Sequence, residues 1–210
     1  MKDDQKNLSS RQNLLNIANL PVKTLPLIDA RECFVRESPM EKLSLKFSNG
    51  AERQFYRVIP NSNHAVIVVA MLDSETVLIT REYGCGFHRY ELGLPRGRID
   101  EGEDILVAAN RELQEEAGFA ASRLNYLRTL SLAPTYMAHE IHVVLARDLS
   151  PSQLEGDEPE PIDVIAWKLA EIETLALHPE FTEGRALGAL LLARAWLAAE
   201  ASEALTVSSP

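Results

Sequence analysis

Residues 97–119 read GRIDEGEDILVAANRELQEEAGF, and they hold acids at an informative spacing. Glu112, Glu115 and Glu116 fall at i, i+3 and i+4. On a helix such residues share one face within about one turn. Like charges placed this way destabilise a helix unless something offsets them. A hard divalent cation does so: Mg²⁺ prefers a few carboxylates, several waters and substrate phosphates, and Mn²⁺ accepts similar oxygen donors. Arg111 stands four residues before Glu115, where it can hold that carboxylate and screen the cluster. Glu103 is a further orienting group. The chemistry this arrangement suits is metal-assisted cleavage of a diphosphate.

These side chains need a helix and a tight entry. Leu106, Ala109, Leu113 and Ala117 recur at separations of three, four and four, which predicts a helix from about Asp104 to Ala117. Asp100, Glu101, Glu103 and Asp104 suit its positive end. Gly97 and Gly102 punctuate the loop before it, and Gly118 is placed to end it. An acidic run alone is more often a solvated helix face. The whole spacing decides otherwise. It matches every fixed position of G-x5-E-x7-R-E-U-x-E-E-x-G-U, where U is a bulky apolar residue. This pattern resembles the box of the Nudix hydrolases.

Composition bounds the rest. The chain has 210 residues and a net charge of -10, enough for one sizeable domain with an extension. The acidic balance argues against general nucleic-acid binding. It is compatible with a nucleotide substrate, because a metal would supply local positive charge. Cys33 and Cys85 are too far apart for a disulfide framework or a zinc site and read as reduced thiols of a cytoplasmic protein. No apolar stretch approaches a membrane span.

Residues 1–24 read as a short helix or a mobile arm. Residues 25–60 read as a small antiparallel β unit, with strands at Arg31–Glu37, Lys42–Phe47 and Gln54–Ile59 and a turn at Ser48-Asn49-Gly50. So small a unit should pack on the main domain or on a second copy. Asn61-Ser62-Asn63 marks the boundary to a domain over 61–202. The run Ala65–Leu72 predicts a strand buried on both faces. Further strands are expected at Thr76–Thr80, Leu127–Leu132, Ile141–Leu145 and Val164–Trp167. Helices are expected at Leu169–Leu177 and Glu183–Ala199, the latter burying Leu187, Leu190, Leu191 and Ala195. Residues 203–210 read as a flexible tail. The order predicts an α/β chain with a mixed sheet between helical layers, in agreement with the α/β/α sandwich that the resemblance implies.

The box identifies chemistry, not substrate. Pro134, 16 residues beyond Gly118, and the N-terminal β unit resemble the ADP-ribose-hydrolysing branch of the family. That branch forms dimers in which the unit reaches across the interface. One departure stands out. The branch carries E-L-P-A-G before the box, whereas here Gly93 takes the glutamate's place and the acid is Glu91. The segments Arg81-Glu82-Tyr83-Gly84, Leu132-Ala133-Pro134-Thr135-Tyr136, Leu154–Pro161 and Ala193–Leu197 resemble the group of this branch that hydrolyses ADP compounds. The resemblance implies ADP-ribose, NADH and diadenosine polyphosphates as substrates, with AMP as a common product.

The same resemblance assigns roles. Glu112 and Glu116 are expected as principal ligands of Mg²⁺, with Glu115 as a third ligand or the group that orients a metal-bound water. The backbone carbonyl of Arg96 is expected to join them, Glu103 to support the site, and Arg111 to orient a carboxylate. Glu158, with Glu160 as its neighbouring candidate, is expected as general base from the acidic loop 151–161. Tyr56 and Arg57 are expected at the adenine, Arg81 and Arg96 at the phosphates, and Tyr136 on the pocket wall. Two other functions compete. An RNA 5'-end (cap) pyrophosphohydrolase would want a basic stripe that the sequence lacks. A non-catalytic sensor of ADP-ribose would not need all three box carboxylates.

Overall fold

The computed structural model describes residues 14–28, 40–59 and 64–207. The strand expected at Arg31–Glu37 and the boundary at 61–63 lie outside those residues. Two strands, β1 (Met40–Lys46) and β2 (Glu52–Val58), form an antiparallel ribbon in which Met40 faces Val58 and Lys46 faces Glu52. Its turn is the expected one. Gly50 adopts φ 83°, where a side chain would be strained, and the Asn49 side chain accepts from the Ala51 amide at 3.0 Å.

Seven further strands build two sheets. They are β3 (His64–Ala70), β4 (Thr76–Gly84), β5 (Arg89–Gly93), β6 (Arg96–Arg98), β7 (Phe119–Ser131), β8 (Glu140–Pro151) and β9 (Asp163–Lys168). One sheet has the order β6-β3-β8-β7, with β3 and β8 parallel and the other pairs antiparallel. The second has the antiparallel order β5-β4-β9. Helix α1 (Ile105–Ala117) carries the box; α2 (Ile172–Ala176) and α3 (Gly184–Val207) follow β9.

The two faces of β3 serve two cores, which is why its sequence is apolar without alternation. Val66, Val68 and Ala70 meet Ala109 and Leu113 of α1, together with Phe119 and Val144. Ile67 and Val69 meet Val77, Ile79, Leu92 and Ile165 of the second sheet, along with Ala186 and Leu190 of α3. Leu113 and Phe119 have no exposed surface, and each such side chain contributes roughly 1.5–3 kcal/mol.

Helix α3 departs from expectation in two ways. It runs to Val207, beyond the tail expected from 203. Its buried positions are Ala186, Ala189, Leu190 and Ala193, whereas Leu191 and Ala195 face solvent. The N-terminal arm is not loose where it is described. A 3-10 turn spans Ile17–Asn19, and Leu15 pairs in parallel with Ile165 at the β9 edge. Among the described residues, no helix is long and apolar enough to cross a membrane. Cys85 is exposed and unpaired; Cys33 lies outside the described residues.

Candidate active site

Helix α1 begins where Asp104 caps it, accepting from the Leu106 amide at 2.8 Å. It ends at Gly118, which takes the left-handed conformation at φ 74°. Between these stops the apolar stripe turns Glu112 and Glu116 inward. Both are 7% exposed. Arg111 ties the cluster together. Its Nε and Nη2 donate to the two oxygens of Glu103 at 2.9 Å each, and its Nη1 donates to Glu112 at 2.8 Å and Glu115 at 2.9 Å. Nη2 also reaches the Arg98 carbonyl at 2.9 Å. Such a planar, permanently charged fork can hold several carboxylates at once. Through these bonds Arg111 holds the Glu103 carboxyl below its usual pKa.

Burial works the other way on the inner acids. It raises the pKa of Glu112 despite Arg111, with Glu115 and Glu158 adding to the effect. It pushes Glu116 up to about 9, reinforced by the nearby Glu82 carboxylate. The Arg96 amide donates to Glu116 Oε2 at 2.9 Å and partly opposes this. Glu112 lies so close to β6 that a Cβ at Gly97 would overlap its carboxylate. The glycine that opens the box is therefore required by a close approach, not by a turn.

The acidic loop after β8 stands over this face. Its near end is fixed to α1: Gln153 donates to the Glu115 carbonyl at 2.9 Å and Ser152 to the Gln114 side chain at 2.8 Å. The cleft between α1 and the loop has a volume of about 490 Å³ and is lined by Glu115, Glu116, Gly156, Glu158 and Glu160. A Cβ at Gly156 would collide with the Glu158 carboxylate, and Glu115 lies next in line. Glu158 thus faces the box. Glu160 does not share that freedom, because Tyr90 donates its hydroxyl to Glu160 Oε1 at 2.5 Å.

A family model described as the NUDIX domain matches residues 62–188. The chain belongs to the Nudix family. Over 158 residues it is 46% identical to the ADP compounds hydrolase NudE of Escherichia coli, covering 75% of this chain and 84% of that one. It is 29% identical over 109 residues to the ADP-ribose pyrophosphatase of Bacillus subtilis, covering 51% of this chain and 59% of that one. A solved ADP compounds hydrolase superposes with a TM-score of 0.71 at 39% identity, over 87% of this chain and 98% of that one.

The other expected residues of this Nudix hydrolase divide into two groups. Tyr56 and Arg57 line a cleft of about 250 Å³ with Phe55, Pro134 and Thr135, so the ribbon and the proline segment do meet. Tyr136 is exposed and binds the ribbon through its carbonyl, which accepts from the Val58 amide at 2.8 Å. Arg81 is different. It is buried, its Nε and Nη2 form a bidentate pair with Glu180 at 2.7 and 2.9 Å, and its Nη1 donates to the Pro21 carbonyl at 3.0 Å. The donors of Arg81, expected at the phosphates, are engaged in a structural tie among the described residues.

The departure at Gly93 also has a physical reason. A Cβ there would come 2.8 Å from Nη1 of Arg96, so the missing side chain makes room for that guanidinium. Arg96 pairs with Glu82 on β4. Glu91, the acid displaced from that place, accepts from Arg89 and Thr182. Glu82 is the site residue that the sequence reading missed. Its one signal is an acid inside a buried strand, which requires a partner.

Among the described residues, no three His, Cys, Asp or Glu side chains stand in an arrangement that could hold a metal ion. The reason is visible. Nη1 of Arg111 bridges Glu112 and Glu115, and Arg96 is shared by Glu82 and Glu116. The donor chemistry still suits a hard cation. Glu112 Oε2 and Glu116 Oε1 are carboxylate oxygens on one buried helix face that accept no hydrogen bond among the described residues.

Proposed function

We propose that this Nudix hydrolase cleaves the diphosphate of ADP-linked compounds, namely ADP-ribose, NADH and diadenosine polyphosphates, and releases AMP. The observation that carries the reading is the buried Glu112–Glu116 face, ordered by Arg111 and overhung by Glu158. The names of the relatives support ADP compounds as the substrate class.

Glu112 and Glu116, with the Arg96 carbonyl and Glu115, would hold Mg²⁺ or Mn²⁺. Such an ion neutralises diphosphate charge and lowers the pKa of a bound water. The chain's own groups do the rest. Arg111 and Glu103 keep the carboxylates in place. Glu158 takes the proton of the attacking water. Tyr56 and Arg57 offer the adenine a ring and a guanidinium to stack on. The exposed ribbon joins two copies into a dimer and brings those residues near a diphosphate.

The test is product analysis with purified protein and Mg²⁺. ADP-ribose, NADH and a diadenosine triphosphate are incubated separately, with Glu115→Gln as control. AMP from several of them, lost in the control, is the expected result. No AMP from any, with folding and metal binding intact, would overturn the substrate class.

A further inference from the structure

The loop that carries Glu158 is held at two ends, and the far end is held by the N-terminal arm. We propose that residues 14–23 form a strap that sets the position of this loop, and that Lys23 is its positioning residue. The inference rests on the reading of Glu158 as the base.

The geometry is specific. The Leu15 amide donates to the Val164 carbonyl at 2.8 Å, which lays the arm along β9. Arg81 then fixes the arm at the Pro21 carbonyl. These contacts deliver Lys23 to the foot of the loop. Its Nζ donates to the Pro161 carbonyl at 3.2 Å and lies 3.5 Å from Asp163 and 4.0 Å from Glu160. It also sits 5.0 Å over the ring of Tyr90, and Arg81 sits 5.2 Å from the same ring. Tyr90 is the residue whose hydroxyl holds Glu160. Both ties on the far end of the loop therefore pass by Lys23.

The Lys23 side chain is only 15% exposed. An ammonium group so enclosed must be paired, and it finds its partners in this loop and its continuation. It shares a cavity of about 120 Å³ with Glu82, Tyr83 and Glu158. At the near end Gln153 and Leu154 bond to α1. Residues 155–159 hang between the two anchorages, with Glu158 among them. Freeing one anchorage lets the carboxylate wander by distances that matter, since a misplacement of about 1 Å can cost about 100-fold in rate.

Lys23→Met keeps the stem and removes the charge. The expected result is a fall in kcat of about tenfold or more with KM within about twofold. Amide exchange of the peptide 155–161 in the metal-free protein should quicken, and Lys23→Arg should restore both. In a Glu158→Gln background, Lys23→Met should add less than about twofold, because the two act on one group. Unchanged exchange in Lys23→Met, or a full additional loss in the Glu158→Gln background, would overturn the strap. Normal turnover of Glu158→Gln alone would remove the base and leave the strap to be judged by exchange.

Discussion

Three carboxylates and a carbonyl share one guanidinium at Arg111, and a glycine backbone closes the space behind Glu112. That closeness makes a prediction. Gly97→Ala adds one methyl group against the Glu112 carboxylate and must displace it. Overpacking of this kind costs about 1–3 kcal/mol. Urea unfolding should show that loss, and turnover should fall at least about tenfold; wild-type turnover would mean that Glu112 moves aside without consequence. The legibility of the site follows from the same geometry. Glu112, Glu115, Glu116, Arg111 and Gly97 stand close in sequence on one helix and its entry, where spacing converts directly into position. Glu82 and Lys23 could not be read that way. They reach the site from β4 and from the arm, and only tertiary packing decides which acids and cations they meet.

Helix α3 shows the same divide among elements. Its residues were expected to bury Leu191 and Ala195, and the structure turns both outward. The segment is leucine and alanine on nearly every side, so periodicity fixes a helix without fixing its phase. By contrast, α1 has a clear apolar stripe and unambiguous caps, and its limits were legible nearly to the residue. The start of α3 is set by Glu183, which accepts from the amides of Arg185 at 3.1 Å and Ala186 at 2.9 Å and from the Arg185 guanidinium. Burial alone would raise its pKa; these donors outweigh burial and hold it below the ordinary 4.5. A carboxyl lowered on folding stabilises the protein above its unfolded pKa, and that contribution is lost as pH falls through the folded value. Glu183→Ala should therefore cost about 1 kcal/mol at neutral pH. The difference from wild type should shrink as the pH drops below 4.5, which urea titrations at several pH values would read. A gap that stays constant with pH would assign the effect to packing instead.

The whole molecule exposes its ribbon. Phe47 and Phe55 meet edge to face at 6.3 Å yet remain 46% and 44% exposed, and Tyr56 is 56% exposed. A two-stranded ribbon is marginal alone, and the Val58 backbone ties its end to Tyr136 and Ala138. This exposed apolar surface is where the proposed dimer would join. Phe55→Glu should give monomers by sedimentation velocity, while a wild-type protein already monomeric at micromolar concentration would count against the dimer. At the centre of the molecule, β3 raises a different question. Since β3 is apolar on both sides, burial alone scarcely distinguishes the native alignment of its neighbours from one shifted by a residue. The edge strand β6 does distinguish it. Gly97 lies opposite Val66, flanked by Arg96 opposite Ile67 and Arg98 opposite Ala65. A slip in either direction would push an arginine side chain into the volume of the Glu112 carboxylate. The glycine that admits the Glu112 carboxylate thus also works as a keyway, accepting the edge strand in one alignment and refusing its neighbours.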